Sequence, residues 1–356
     1  MPYLLTPLIG VAVVLELADA SAGVVFAASA LGVIPTAALM GRATEELSAR
    51  SGPGIGGLLN VTFGNAPELI IALFALGAGL QEVVKASIVG SIIGNVLLVL
   101  GAAMFLGGRK RDHQEFDNRA ASVQSSMLLL AAAAILMPAI FELVNGGRLP
   151  HPTEEIARFG GSVEDLSLAV AVVLMGTYLA GLVFSLKTHR SLFNPEYGAE
   201  DTWGWSARTS VLMLAVAGVL VGVMSEILVG SISEASKSVG LSEFFIGAIV
   251  VAIVGNAAEH WVAVVVATKD KMDLSINIAI GSSAQVALFV APVLVIASYF
   301  LGPYPMALVF NGLEVGGLLL AVLIANYVTQ DGFSNWFEGL QLLAVYVVIA
   351  LAFGFA

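Results

Sequence analysis

The chain has 356 residues, 58% of them hydrophobic and 12% charged, with a mean hydropathy of +0.94. Soluble domains carry about a quarter charged residues, so this composition excludes a soluble globular protein and indicates an integral membrane protein. The net charge of −11, with no basic cluster larger than Arg109-Lys110-Arg111, argues against a nucleic-acid partner, and the lack of cysteine excludes disulfides, thiol catalysis and thiolate-bound metal.

Eleven apolar segments follow one another, approximately at 3–19, 23–47, 54–79, 83–107, 122–145, 164–187, 207–234, 241–268, 274–301, 305–328 and 334–355. Their lengths suit transmembrane helices and exceed those of barrel strands. The first ends in Ala18-Asp19-Ala20, which resembles a signal-peptide cleavage site. No Lys or Arg precedes it, so a retained helix is predicted. With a cytoplasmic N-terminus, eleven basic residues (Arg42, Arg50, Arg109, Lys110, Arg111, Arg119, Lys187, Arg190, Arg208, Lys269, Lys271) fall on the cytoplasmic side. Four (Lys85, Arg148, Arg158, Lys237) fall outside. This asymmetry predicts an N-in, C-out, multi-pass protein of the plasma membrane. Tyr3, Trp203, Trp205, Tyr304, Tyr327 and Trp336, near predicted helix ends, fit an interfacial aromatic belt.

The chain repeats itself. Gly64-Asn65-Ala66-Pro67-Glu68 matches Gly255-Asn256-Ala257-Ala258-Glu259, and Gly90-Ser91 and Gly281-Ser282 follow at the same distance. Upstream, Thr44-Glu45 resembles Ser225-Glu226. The expected fold is an all-α integral membrane protein of about 11 transmembrane helices. An N-terminal helix (1–22) precedes a first five-helix repeat (23–188), a cytoplasmic connecting loop (189–206) and a second five-helix repeat (207–356). Five helices per repeat is an odd number, so the halves must insert with opposite orientation, as in secondary transporters with a midplane site.

Glu68 and Glu259 carry the chemistry. An ionised carboxylate at the bilayer centre costs about 2.5–3.5 kcal/mol on insertion scales. One such residue could equally be a protonated helix glue, but two at equivalent repeat positions point to function. Asn65 and Asn256, three residues earlier, would share a helical face with them. Gly64 and Gly255 allow close approach of a backbone or an ion. Pro67 lacks an amide hydrogen, which frees the Phe63 carbonyl to face a ligand. Carboxylates, amide oxygens and carbonyls form the all-oxygen set that hard cations prefer, and six to eight such oxygens would suit Ca²⁺. A second tier is Ser91 and Asn95 with Ser282, Ser283 and Gln285, as ligands or as ordinary interhelical hydrogen bonds. Glu45 and Glu226 are candidate gating carboxylates or simply solvated ends. His260, about 100° around the helix from Glu259, is a proton relay or a packed histidine. There is no His-Glu-x-x-His signature, and the serines lack a nucleophile-elbow context, so no enzyme is expected.

At these residues the sequence resembles the calcium/proton antiporter (cation/proton exchanger, CAX) family. Gly41-Arg42-Ala43-Thr44-Glu45 with Gly56-Gly57-Leu58-Leu59-Asn60-Val61-Thr62-Phe63-Gly64-Asn65-Ala66-Pro67-Glu68 is similar to its first alpha-repeat. Gly255-Asn256-Ala257-Ala258-Glu259-His260 with Gly281-Ser282-Ser283-Ala284-Gln285 is similar to its second. The resemblance implies that Glu68 and Glu259 are the central cation and proton carriers, flanked by Asn65 and Asn256. It implies Ca²⁺ export in exchange for H⁺, with Ca²⁺ as transported substrate, no resident cofactor and the lipid bilayer as environment. A homo-oligomer is compatible with the sequence. Some relatives carry a strongly acidic segment between the halves, where this chain offers only Glu196, Glu200 and Asp201. Sodium/calcium exchangers share the architecture but typically show Gly-(Thr/Ser)-Ser-x-Pro-Glu. Asparagine after the glycine in both repeats favours proton coupling. A non-transporting receptor or structural bundle would leave the paired glutamates unexplained.

Overall fold

The computed structural model describes residues 2–188 and 204–356. The connecting-loop residues Arg190, Glu196, Glu200, Asp201 and Trp203 lie outside them. The described chain is nearly all helical: α1 (Pro2–Leu17), α2 (Ala22–Arg50), α3 (Gly52–Phe63), α4 (Ala66–Gly77), α5 (Gln81–Gly108), α6 (Asn118–Val144), α7 (Gly161–Thr188), α8 (Ala207–Val239), α9 (Glu243–Gly255), α10 (Ala257–Thr268), α11 (Met272–Ala297), α12 (Gly312–Val328) and α13 (Trp336–Gly354). Among the described residues seven helices (α2, α5, α6, α7, α8, α11 and α13) are long and apolar enough to cross a membrane. The pair α9 and α10, bent by 60°, makes an eighth, and α1, α4 and α12 are shorter apolar helices.

Local chemistry sets the helix limits. Asp117 caps α6 by accepting from the Arg119 and Ala120 amides, and Asn311 and Asn335 form capping boxes with Glu314 and Glu338. Gly240, at φ 70°, ends α8 in the left-handed conformation that glycine tolerates best. Small residues then let helices touch, as expected where lipid gives no hydrophobic drive for association. A Cβ on Gly90 would fall on the Ala248 carbonyl, so α5 and α9 meet backbone to backbone. The two longest helices, α2 and α8, pack along one another.

The segment predicted to begin a helix at 305 is instead extended through Asn311. Pro303 and Pro305 disfavour helix before and at their own positions. Met306 to Phe310 are buried all the same, so their backbone groups need partners. The Met306 amide donates to Ser298 Oγ (2.7 Å), the Leu308 amide donates to Ser167 Oγ (2.9 Å) and the Tyr304 carbonyl accepts from Gln81. The Val309 carbonyl accepts from Lys85 Nζ at 2.7 Å. Lys85, counted above among external loop charges, is only 1% exposed and pairs with Glu82 at 2.8 Å. It is an internal fastener, and the loop-charge asymmetry without it becomes eleven to three. On the opposite side, Gln114 and Glu115 pair antiparallel with Ser334 and Phe333, tying the α5–α6 connection to the α12–α13 connection.

Candidate cation site

The two segments carrying the repeated motif were each expected to be one continuous helix. Both are broken, at Asn65 and at Asn256, where φ/ψ leave helical values (−89°/11° and −108°/6°). A new helix starts at each break, since the Leu69 amide donates to the Asn65 carbonyl and the His260 amide to the Asn256 carbonyl. Pro67 is not the cause, because the second break has Ala258 in the equivalent place. The shared Gly-Asn is the common element. The breaks also correct the expected shared helical face of Asn65 and Glu68: the asparagine side chain turns across to the other half.

There the contacts interlock. Asn65 Nδ2 donates to Gln285 Oε1 (2.7 Å), and Ser282 Oγ lies 2.9 Å from both Asn65 Oδ1 and Glu259 Oε2. In the mirror arrangement Asn256 Nδ2 donates to Ser91 Oγ at 3.0 Å. Each glycine lies against the opposite glutamate. A Cβ on Gly64 would come 3.0 Å from Glu259 Oε1, and one on Gly255 would come 3.6 Å from Glu68 Cα. Both Glu68 oxygens are buried without a hydrogen-bond partner among the described residues, with Ser91, Asn256 and the Glu259 charge facing them. Seven side chains, Asn65, Glu68 and Ser91 from the first half and Asn256, Glu259, Ser282 and Gln285 from the second, therefore converge. Helices α5 and α11 each contain a wide π-helical stretch beside this group, Gly94–Val99 and Val286–Val290. Such insertions recur at functional sites because they re-aim side chains and loosen the ladder.

Other expected residues lie apart from this core. His260 Nε2 is 2.8 Å from Asn95 Oδ1, so the two form a pair next to the glutamates. Ser283 Oγ donates to the Ala279 carbonyl of its own helix. Glu45 pairs with Arg42 at 3.2 Å near the end of α2, and Glu226 is exposed on α8. Sequence reasoning missed Gln124, which donates to Asn277 Oδ1 at 2.6 Å; a lone amide on an apolar helix gives no pattern to read.

Among the described residues no three His, Asp or Glu side chains converge as a metal-ligating group. Any cation held here would use two carboxylates with amide and hydroxyl oxygens, a hard-cation set that lacks the imidazole and thiolate of a transition-metal centre. Glu68 is buried and Glu259 partly accessible, and two carboxylates whose charges act on one another inside the bundle are best neutralised together, by one divalent ion or by protons.

The model of the sodium/calcium exchanger protein family matches residues 21–187 and 209–355. The Ca(2+)/H(+) antiporter of Synechocystis sp. is 48% identical over 353 residues, covering 93% of this chain and 91% of its own. The Ca(2+)/H(+) antiporter ChaA of Bacillus subtilis is 44% identical over 335 residues, covering 93% and 92%. Among solved structures, native YfkE superposes with a TM-score of 0.84 at 39% identity, covering both chains completely. The relatives are named as transporters, and the interlocked carboxylate site lies within the matched residues. The chain belongs to the sodium/calcium exchanger protein family, as a member of its calcium/proton antiporter branch.

Proposed function

We propose that the protein exports Ca²⁺ from the cytoplasm in exchange for H⁺, with Glu68 and Glu259 as the shared, mutually exclusive carriers. The observation that carries this reading is the interlock itself: each glutamate lies against the glycine of the opposite half, so one ion can bridge both carboxylates. Either Ca²⁺ or protons neutralise the pair, and only neutral states cross a dry intermediate cheaply. The doubly ionised empty site is the costly state, which suppresses leak and couples the two fluxes. Eleven crossings arranged as one helix and two inverted five-helix repeats, with the N-terminus cytoplasmic and the C-terminus external, complete the scheme. Alternating access comes from α2 and α8, which are packed as a pair, shifting against the broken helices. Glu45 and Glu226, near the ends or on the exposed surface of that pair, serve as vestibule carboxylates.

The names of the two antiporter relatives support proton coupling. The test is Ca²⁺ flux in proteoliposomes under an imposed pH gradient, with and without sodium. Proton-driven uptake is expected without sodium, and it should vanish in Glu68→Gln and Glu259→Gln while both variants still fold. The amide imitates the protonated carboxyl but cannot release a proton. Sodium-driven flux would identify a sodium/calcium exchanger, and substantial exchange by either variant would show that the wrong carboxylate had been assigned.

A further inference from the structure

The two halves are related by an offset of 191 positions, yet one pair of equivalent faces differs in chemistry and in packing. On α5, Ala86, Gly90 and Gly94 form a buried small-residue stripe, and Gly247 and Ala248 of α9 sit directly on its Ala86 and Gly90. The equivalent residues on α11 are Asn277, Gly281 and Gln285, spaced i, i+4, i+8 on one helical face, and all three are partly accessible. The stripe ends at the cation site, where Gln285 holds Asn65. Opposite it on α6 stands Gln124. Its amide nitrogen donates to Asn277 Oδ1, while its own Oε1 is buried and unpartnered among the described residues.

Ordinary interhelical glue would satisfy both ends of such a pair. Here a buried carboxamide oxygen is left without a donor, which costs free energy unless something visits it. Gly281 lets both carboxamides approach the α11 backbone: a Cβ there would lie 3.2 Å from Asn277 Oδ1 and 3.7 Å from Gln124 Oε1. Two carboxamide oxygens beside the partly accessible Gly281, with no carboxylate in the pair, would ligate a hard cation weakly enough to release it. Asn277 precedes Ser282 by five residues, which is about 7.5 Å along the helix.

We propose that Gln124, Asn277 and Gly281 form a transit site for a partly hydrated divalent cation, on the path between the Lys269–Lys271 turn and the central carboxylates. The site rests on the cation-transport reading above and adds to it the access route and its ligands. In the state described here that route is the open one, and its counterpart along α5 is closed.

A transit site lowers the barrier to loading and unloading without changing the stability of the loaded state, so removing it must slow both rates together. The experiment uses the full-length protein in nanodiscs, with Ca²⁺ as probe. Stopped-flow mixing gives association, release to a fluorescent chelator gives dissociation, and calorimetry gives Kd. In the double variant Gln124→Leu/Asn277→Leu both rates should fall about tenfold, with Kd and melting temperature unchanged. Donor and acceptor leave together in that variant, so no new unpaired group is created. Ser282→Ala, at the central site, should shift Kd instead. Unchanged rates in the double variant, or a Kd that moves by the same factor as the association rate, would overturn the proposal. Wild-type protein that binds no Ca²⁺ would overturn the functional reading, and this site with it.

Discussion

Replacing Gly90 by alanine tests whether the α5–α9 contact holds one access route shut. The new methyl would land on the Ala248 carbonyl oxygen, and neither backbone can yield without the helices parting. Overpacking of this kind costs about 2 kcal/mol. The penalty falls on the state in which α9 seals α5, so the ratio of that state to its alternative should drop by about 30-fold. The chain contains no cysteine, so Asn277→Cys introduces a single thiol that reports the open route along α11. Its labelling by a membrane-impermeant maleimide should slow when Gly90→Ala is added, because the alternative state closes that side. Gly281→Ala supplies the contrast. In this state its methyl would meet only movable side-chain ends, Asn277 Oδ1 at 3.2 Å and Gln124 Oε1 at 3.7 Å, and the reporter removes the nearer of them, so labelling should stay fast. Wild-type labelling in a folded Gly90→Ala protein would refute the reasoning, as would equal slowing by Gly281→Ala.

Apparent Ca²⁺ affinity should fall as pH falls, because the shared carboxylates must release protons to bind metal. Below their titration range the slope in log affinity should approach about 2 per pH unit, and about 1 in Glu68→Gln; calorimetry in sodium-free buffer across mildly acidic to alkaline pH would reveal a flat profile if the site is not shared. Lys85→Met should destabilise the fold by about 3 kcal/mol, because it strands the partly buried Glu82 and the Val309 carbonyl, and adding Glu82→Gln should recover part of the loss in thermal unfolding. Cysteines placed in 109–119 and in the connecting loop should react only from the cytoplasm, and one at Ala356 only from outside. A C-terminus labelled from the cytoplasm would demand an even number of crossings and break the inverted-repeat scheme.

The glutamates stand out in the sequence as candidates because a charge in lipid is expensive, so its presence twice at matched positions carries information. The glycines beside them were legible for the same reason of repetition, and each does stand against a glutamate. Which half each asparagine would face was not legible. Asn65 and Gln285 are 220 residues apart, and only the break at Gly-Asn turns one toward the other. A continuous helical reading instead put Asn65 beside its own Glu68. Lys85 was misread because a lysine close to a predicted helix start ordinarily lies in water. What buries it is an extended segment from the other half, whose non-helical backbone follows from two prolines but whose docking place does not. Gln124 was overlooked because one amide in an apolar helix looks like routine packing until its unpaired oxygen is seen.

The fastening of Lys85 also bears on how the protein is made. Its acceptor at Val309 lies 224 positions later in the chain, so the ribosome completes α5 long before that carbonyl exists. During this interval the ammonium has the first half's own groups, Glu82 one turn away on the same helix, the Phe159 ring and the more distant Glu154 charge, but not its carbonyl acceptor. The first half must therefore wait in the membrane with a polar notch at the start of α5. It should be a client of whatever machinery shelters unfinished helices, and expressed alone it should be degraded unless the second half is supplied in the same cell.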